Sequence, residues 1–192
     1  MGLWGATDAD EAKPKYLTAV EKRDVYGDSG GWKLAPGTAA TGNGNTAAQA
    51  ETLVAIRGLG TTAAKLNIAD ISSINWNITT FDKSAGGTLS VTVNYNEEVA
   101  VTGTPQLTVV NDSRTNHTLS YASGTGTNRL TFTLVIAAGH ASLQATDVIS
   151  VGANAIAQNG GSTIKDTLST NNAVITSSAG IGTATGTITA VA

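Results

Sequence analysis

Between residues 74 and 136, apolar and polar side chains alternate with a period of two in one stretch after another. Ile74, Trp76 and Ile78 are separated by Asn75 and Asn77, and Leu89, Val91, Val93 and Tyr95 by Ser90, Thr92 and Asn94. Leu107 and Val109 flank Thr108, and Leu119 and Tyr121 flank Ser120. Leu130, Phe132, Leu134 and Ile136 enclose Thr131, Thr133 and Val135. Successive side chains of a strand point to opposite faces, so the pattern predicts strands with one buried face. Apolar runs at 148–151 and 173–176 add shorter strands. Thr102-Gly103-Thr104-Pro105, Ser123-Gly124-Thr125-Gly126, Ala138-Gly139 and Asn159-Gly160-Gly161 supply the turns between them. About seven short strands with regular turn signals predict an all-β fold, a β-sandwich over residues 80–178. A charge placed at Val93 or Phe132 would then unfold the domain, because each buried side chain of this size contributes about 1.5–3 kcal/mol.

The flanks read differently. Residues 36–45 are rich in Gly, Ala, Thr and Asn and form a loop. Residues 53–57 form a strand bounded by Gly58 and Gly60, and Leu66, Ile68 and Ile71 precede the 74–78 alternation. Residues 34–79 are therefore a Gly/Asn loop and a small β region, either a subdomain of its own or the first strands of the body. Residues 179–192 are a C-terminal tail in which 187–191 forms a last strand. It pairs with its own body or with a neighbour's edge.

Residues 1–33 form an N-terminal arm. They hold 11 of the 25 charged side chains, two of the three tryptophans and two of the four tyrosines. Trp4-Gly5-Ala6-Thr7-Asp8 has turn character. Pro14 biases Lys13 away from helix, so 13–17 is expected to be extended. Thr18 and Glu21 have the spacing of a capping box, which predicts one or two helical turns through Asp24. Asp28-Ser29-Gly30-Gly31 breaks the chain before Trp32. So short a segment cannot bury Leu3, Trp4, Tyr16, Leu17, Tyr26 and Trp32 alone. Its aromatics pack on the body, on another copy or on a partner.

Charge narrows the function classes. Net charge is −3 and only six basic residues follow Lys33, so no cationic track exists for nucleic acid. There is no cysteine, hence no disulfide or thiolate chemistry. The first residues lack a basic region followed by an apolar run, so no signal peptide is expected. No apolar stretch approaches the roughly 20 residues of a membrane span.

Catalytic and metal chemistry finds little support. His117 and His140 have no zinc-ligand spacing, and His117, beside Asp112, Ser113 and Arg114, reads as a loop residue. No Gly-x-Ser-x-Gly elbow is present, and an enzyme is not expected. Glu97 and Glu98 are adjacent, would face opposite sides of a strand, and read as a solvated strand end. Gly58-Leu59-Gly60 and Gly180-Ile181-Gly182 lack the rest of a phosphate or dinucleotide loop. Asp82, Asp112, Asp147 and Asp166 have oxygen chemistry that suits calcium, without an EF-hand pattern. No cofactor and no metal are expected.

Two resemblances add to these readings. Val91–Tyr95 with Glu97-Glu98-Val99, then Val101-Thr102-Gly103-Thr104-Pro105-Gln106-Leu107, Ser120-Tyr121-Ala122-Ser123-Gly124-Thr125-Gly126, Leu130-Thr131-Phe132-Thr133, Ala137-Ala138-Gly139 and residues 161–166 are similar to bacterial Ig-like repeats of surface adhesins. That family closes with an Asp-x-x-Gly-Asn-type turn, whereas here Asp166 leads into residues 167–172. The start, Leu3-Trp4-Gly5 and Asp8 followed by Lys13-Pro14-Lys15-Tyr16-Leu17, resembles small structural proteins of tailed phages of marine cyanobacteria. Together the resemblances imply an Ig-like β-sandwich with an extended N-terminal arm in a virion structural protein, most directly a capsid decoration (cement) protein. They imply docking on the major capsid protein by Leu3, Trp4, Asp8, Lys13, Pro14, Lys15, Tyr16, Leu17 and Trp32. They further imply a homo-oligomer around a local symmetry axis, made in the host cytoplasm and carried on the outer capsid surface. The alternatives are a neck, tail or fibre component, and a carbohydrate-binding adhesive module.

Overall fold

The computed structural model describes residues 14, 17–18, 21–28, 31–41, 44–55, 68–167 and 169–192. Twelve strands among these join one hydrogen-bonded sheet. In chain order they are β1 (Val25–Asp28), β2 (Gly31–Leu34), β3 (Glu51–Ala55), β4 (Ile71–Trp76), β5 (Phe81–Asp82) and β6 (Gly87–Thr102). There follow β7 (Gln106–Asn111), β8 (His117–Ser123), β9 (Thr127–Ile136), β10 (Val148–Ala157), β11 (Thr163–Asp166) and β12 (Thr187–Val191). Among the described residues one α-helix of six residues, α1 (Ala179–Ala184), is capped by the Ser178 hydroxyl, which accepts the Ile181 N–H. No helix among the described residues is long and apolar enough to cross a membrane.

The strand order is β3-β2-β1-β6-β9-β8-β7-β10-β12-β5, with β4 and β11 also paired to β6. The all-β expectation is met. The ladder itself is one mixed sheet, with parallel pairings at β1–β6 and β12–β5.

β6 organises this sheet. Over its first half β4 pairs on it from Ile71↔Tyr95 to Trp76↔Val91, and β9 from Gly87↔Ile136 to Asn94↔Arg129. The register with β9 then slips between Asn94 and Val99. β1 meets the strand within the slip, at Gly27↔Glu97, and beyond it β9 returns at Val99↔Thr127 while β11 pairs from Asp166↔Val99 to Thr163↔Thr102. The alternation read from the sequence sets the faces: Leu89, Val91, Val93 and Tyr95 are all fully buried. They share one core with Leu107, Leu119, Leu130, Phe132, Ile149, Ile164 and Ile188.

This core crosses the expected limits at 79/80 and 178/179, since Ile71 and Ile74 of β4 and Ile188 and Ala190 of β12 belong to it. The small β region is divided between two neighbours. β4 joins the body, while β3 pairs with β2, from Gly31↔Ala55 to Leu34↔Glu51. Of the expected strand 53–57, residues 56 and 57 lie outside the described residues. The last strand pairs within its own chain, antiparallel to β10 (Ile149↔Ile188) and parallel to β5 (Ala190↔Phe81).

The run at 173–176 is not a strand. The Ala173 N–H donates to the Ile164 carbonyl and the Val174 N–H to that of Ala69, so the run crosses two elements and follows neither. The Asp166 turn closes in its own way. The Asp166 carboxylate accepts the Ser169 N–H at 2.7 Å, and Thr170 takes a positive φ of 59°, a conformation usually left to Gly.

At Gly124 a glycine is required by space. Its φ is 115°, and a Cβ there would run into the Arg129 carbonyl across the β8–β9 turn.

Phe132 is fully buried and meets Tyr121 edge-on, with ring centroids 6.0 Å apart. Phe132→Ala should lower unfolding free energy by about 3–5 kcal/mol, measured by urea denaturation. Val93→Asp should abolish the cooperative transition altogether.

Candidate functional site

The segment before the body folds on a small core of its own. The Thr18 N–H and hydroxyl donate to the Glu21 carboxylate at 2.8 and 2.7 Å, and the Glu21 N–H returns to the Thr18 hydroxyl at 3.3 Å. This is the expected capping box, and a 3₁₀ turn over Glu21–Asp24 follows it. The backbone and side-chain hydrogen bonds from Thr18 hold the Glu21 carboxyl below its ordinary range. β1 and β2 then pair as a hairpin from Val25↔Leu34 to Asp28↔Gly31. Asp28 and Gly31, which flank the expected break, are the last pair of this hairpin. Val25, Trp32 and Leu34 are buried together, with Leu17, Leu53 and Val54 packed against them.

Three of the expected docking residues lie among the described ones. Pro14 is buried, and its carbonyl accepts the Leu17 N–H at 3.2 Å. That bond closes a turn where an extended stretch was expected. Leu17 is half-buried on the small core. Trp32 is 5% exposed, and its ring lies over Gly27, so it serves the hairpin's own packing instead of presenting a surface anchor. The physical reason is β3, which supplies the apolar cover that residues 1–33 lack. Leu3, Trp4, Asp8, Lys13, Lys15 and Tyr16 lie outside the described residues.

Three bonds hold the small core in place. Gly27 pairs with Glu97, the Ala35 N–H donates to the Asp24 carbonyl at 2.9 Å, and Arg129 Nη2 donates to Asp24 Oδ1 at 3.0 Å. The first and third cross from hairpin to body, and the second closes the hairpin's base. Glu97 is fully buried at this junction, so it is not the solvated strand end expected of it: β6 continues to Thr102 and β1 covers the position. Its neighbour Glu98 is half-buried and lines a cleft of about 300 Å³ with Tyr26, Pro36, Asn128 and Arg129.

A second polar cluster lies where the β7–β8 turn meets the β9–β10 loop. The Asn111 side-chain carbonyl accepts the N–H groups of Ser113 and Arg114 at 3.0 and 3.1 Å, which orients its amide. The amide donates to Asp147 at 3.0 Å and faces His117 Nε2 at 3.5 Å. Asp147 also accepts the Gln144 N–H at 2.9 Å and has Arg114 at 3.6 Å. Arg114 in turn donates to the Ala141 carbonyl at 3.1 Å. The cluster ties two loops together. His117 is thus no loop residue but the first residue of β8, and it is 5% exposed.

The four carboxylates whose chemistry would suit calcium are scattered and engaged locally. Asp82 accepts from Ser84 and Ala85, Asp112 from Val148, Asp147 within its cluster and Asp166 from Ser169. No group of three His, Cys, Asp or Glu side chains is placed to hold a metal ion among the described residues. Of the body's aromatics, Tyr95 is fully buried, while Trp76 and Tyr121 are half-buried against the core. Burial, with the charge of Asp70 adding to it, raises the Tyr95 phenol well above its ordinary value.

No protein-family model matches the chain, and no curated protein matches it.

Two predictions follow from this geometry. Trp32→Ala should expose the amides of β1 and β2 to fast hydrogen exchange while those of β6 and β9 stay protected, because the two cores are separate. The second concerns acid. Burial lowers the His117 pKa below 6.5, against the opposing pull of Asp147, with His140 adding to the lowering. The folded state therefore favours neutral His117, and its contribution is complete above pH 6.5 and lost as pH falls through the lower folded value. Burial pushes Asp147 up, but the Gln144 N–H, Asn111, Arg114 and His117 outweigh it, so a second loss follows below pH 3.8. His117→Gln should flatten the dependence of Tm on pH just below 6.5 and leave the more acidic limb in place.

Proposed function

We propose that this chain is a structural virion protein, a capsid decoration protein that docks on the major capsid lattice by its N-terminal segment and projects an Ig-like body. The carrying observation is the concentration of 11 of 25 charges, with Trp4 and Tyr16, in residues 1–33, ahead of a body whose outward strand positions are mostly Thr, Ser and Asn. Interfaces concentrate their energy in a few Trp, Tyr and Arg side chains. The clamp at Asp24, Gly27 and Arg129 supports the reading, because it couples whatever precedes it to the body. The docking set is Leu3, Trp4, Asp8, Lys13, Lys15 and Tyr16, with Pro14 and Leu17 joining it to the small core. Copies around a local symmetry axis add avidity without a tight single contact.

The body is read as an Ig-like sandwich, in which the two halves of the ladder fold over one core. Its support is that β6 and the paired strands β10 and β12, far from it in strand order, bury Leu89, Ile149 and Ile188 in the same cluster. A carbohydrate module would need exposed aromatics on the body, and Trp76, Tyr95 and Tyr121 are half or fully buried.

Deleting residues 1–13 leaves the capping box and small core intact. The truncated chain should keep its Tm within a few degrees and fail to co-sediment with capsids of its phage. Undiminished decoration by the truncated chain would overturn the docking assignment. Binding of the full chain confined to one vertex or to tails would move the protein to the neck or tail.

A further inference from the structure

The cluster of Asn111, Arg114, His117 and Asp147 stands at the end of the body away from the hairpin. β1 meets β6 at Glu97, whereas the β9–β10 loop follows Ile136, whose partner Gly87 lies about 30 Å back along β6. Residues 112–116, between buried Asn111 and buried His117, are all exposed. Asp112 is fastened to β10: its N–H donates to the Val148 carbonyl at 3.1 Å, and its carboxylate accepts the Val148 N–H at 3.0 Å. The rest of the turn leans on Asn111. Its side-chain oxygen accepts the Ser113 and Arg114 N–H groups, and its own N–H donates to the Asn116 side chain at 3.3 Å.

Asn111 fits only one protonation state of His117. With its oxygen taken by two backbone N–H groups, its NH2 must point the other way, to Asp147 at 3.0 Å and toward His117 Nε2 at 3.5 Å. A donor facing Nε2 needs a lone pair there, and the charged ring has none. A proton on Nε2 sets two N–H groups against each other. Turning the Asn111 amide over would give up Ser113, Arg114 and Asp147 together. Burial opposes a proton on His117 most, Asp147 favours it, and His140 opposes it. Asp147 and His140 belong to the β9–β10 loop, and the turn itself carries Asp112 and Arg114. A charged His117 also competes for the Asp147 carboxylate, which now serves Asn111, Gln144 and Arg114. Leu143 of the same loop is fully buried in the main core, so the loop stays in place and the turn is the part free to move.

We propose that this cluster is an acid-operated latch: with His117 neutral, Asn111 holds the turn 113–116 against the β9–β10 loop, and a proton on Nε2 releases the turn. Release ends the grip of Arg114 on the Ala141 carbonyl. Neutral His117 closes the latch, so it is closed above pH 6.5 and opens as pH falls through the lower folded value. No covalent bond changes and the main core is untouched, so the opening is local and reversible. It concerns the body alone and is independent of the virion reading.

The test is an NMR titration of the full chain from neutral pH to the acid limit of the folded state. The amides of Ser113, Arg114 and Asn116 should lose order on the fast timescale with the same midpoint as the His117 ring, while those of Val93 and Leu130 stay rigid. His117→Gln should abolish this response, and His140→Gln should keep it. Asn111→Asp puts an acceptor in front of Nε2 and should raise the His117 midpoint above that of the native chain. Should His117→Gln fail to fold, the native titration and Asn111→Asp decide the matter. Turn amides that stay rigid while His117 titrates, a response that survives His117→Gln, or an unchanged or lower His117 midpoint in Asn111→Asp would each overturn the proposal.

Discussion

The fold depends on the register slip in β6 between Asn94 and Val99. Before it, β6 is an ordinary central strand with β4 on one side and β9 on the other. Within it the strand takes the hairpin at Glu97, and after it β11 pairs along the strand while β9 returns at Val99↔Thr127. The gap between Asn94↔Arg129 and Val99↔Thr127 is where β1 reaches Glu97. The buried polar groups at this point follow from the same geometry. Asn94 donates to the Ser73 hydroxyl at 3.0 Å, and Asn96 accepts the Asp70 N–H at 2.7 Å, so the side of β6 turned away from the core is also covered. Buried polar side chains need such partners, and here they lie on β4 and on the residue just before it.

The period-two pattern made most of the body legible. Leu89 to Tyr95 and Leu130 to Ile136 lie where the alternation placed them, because one-sided burial leaves a strong sequence signal. What could not be read depends on contacts between distant segments. Asn96-Glu97-Glu98 ends the apolar alternation, so nothing local says that β6 continues to Thr102. Burial of Glu97 is imposed by a hairpin about 70 residues earlier in the chain. His117 was misread for the same reason, since its cover comes from Asp147 and the β9–β10 loop. β1 and β2 are four residues each and contain Gly27 and Gly31, too little length for a periodic signal. The turn chemistry at Asp28–Gly31 was visible, but its reading as a break and as a hairpin use the same residues.

The first segment shows how a short sequence acquires a core. Val25, Trp32 and Leu34 alone would leave a two-stranded ribbon, which is marginal in water. β3, arriving after a loop, adds Leu53 and Val54 and a third strand. The aromatic surplus of residues 1–33 is therefore partly internal: Trp32 belongs to the packing of this unit. The docking assignment rests on the residues before the capping box, and the unit behind them acts as their base.

The unequal joints of this molecule also have a mechanical meaning. A load applied through the N-terminal segment reaches the body through the pairing of Gly27 with Glu97 and the ion pair of Asp24 with Arg129, among other contacts of the hairpin. A load within the body is shared along β6 by β4, β9 and β11. The described pairing at the hairpin is short beside that ladder, so tension along the chain should open this joint before β6 parts from its neighbours.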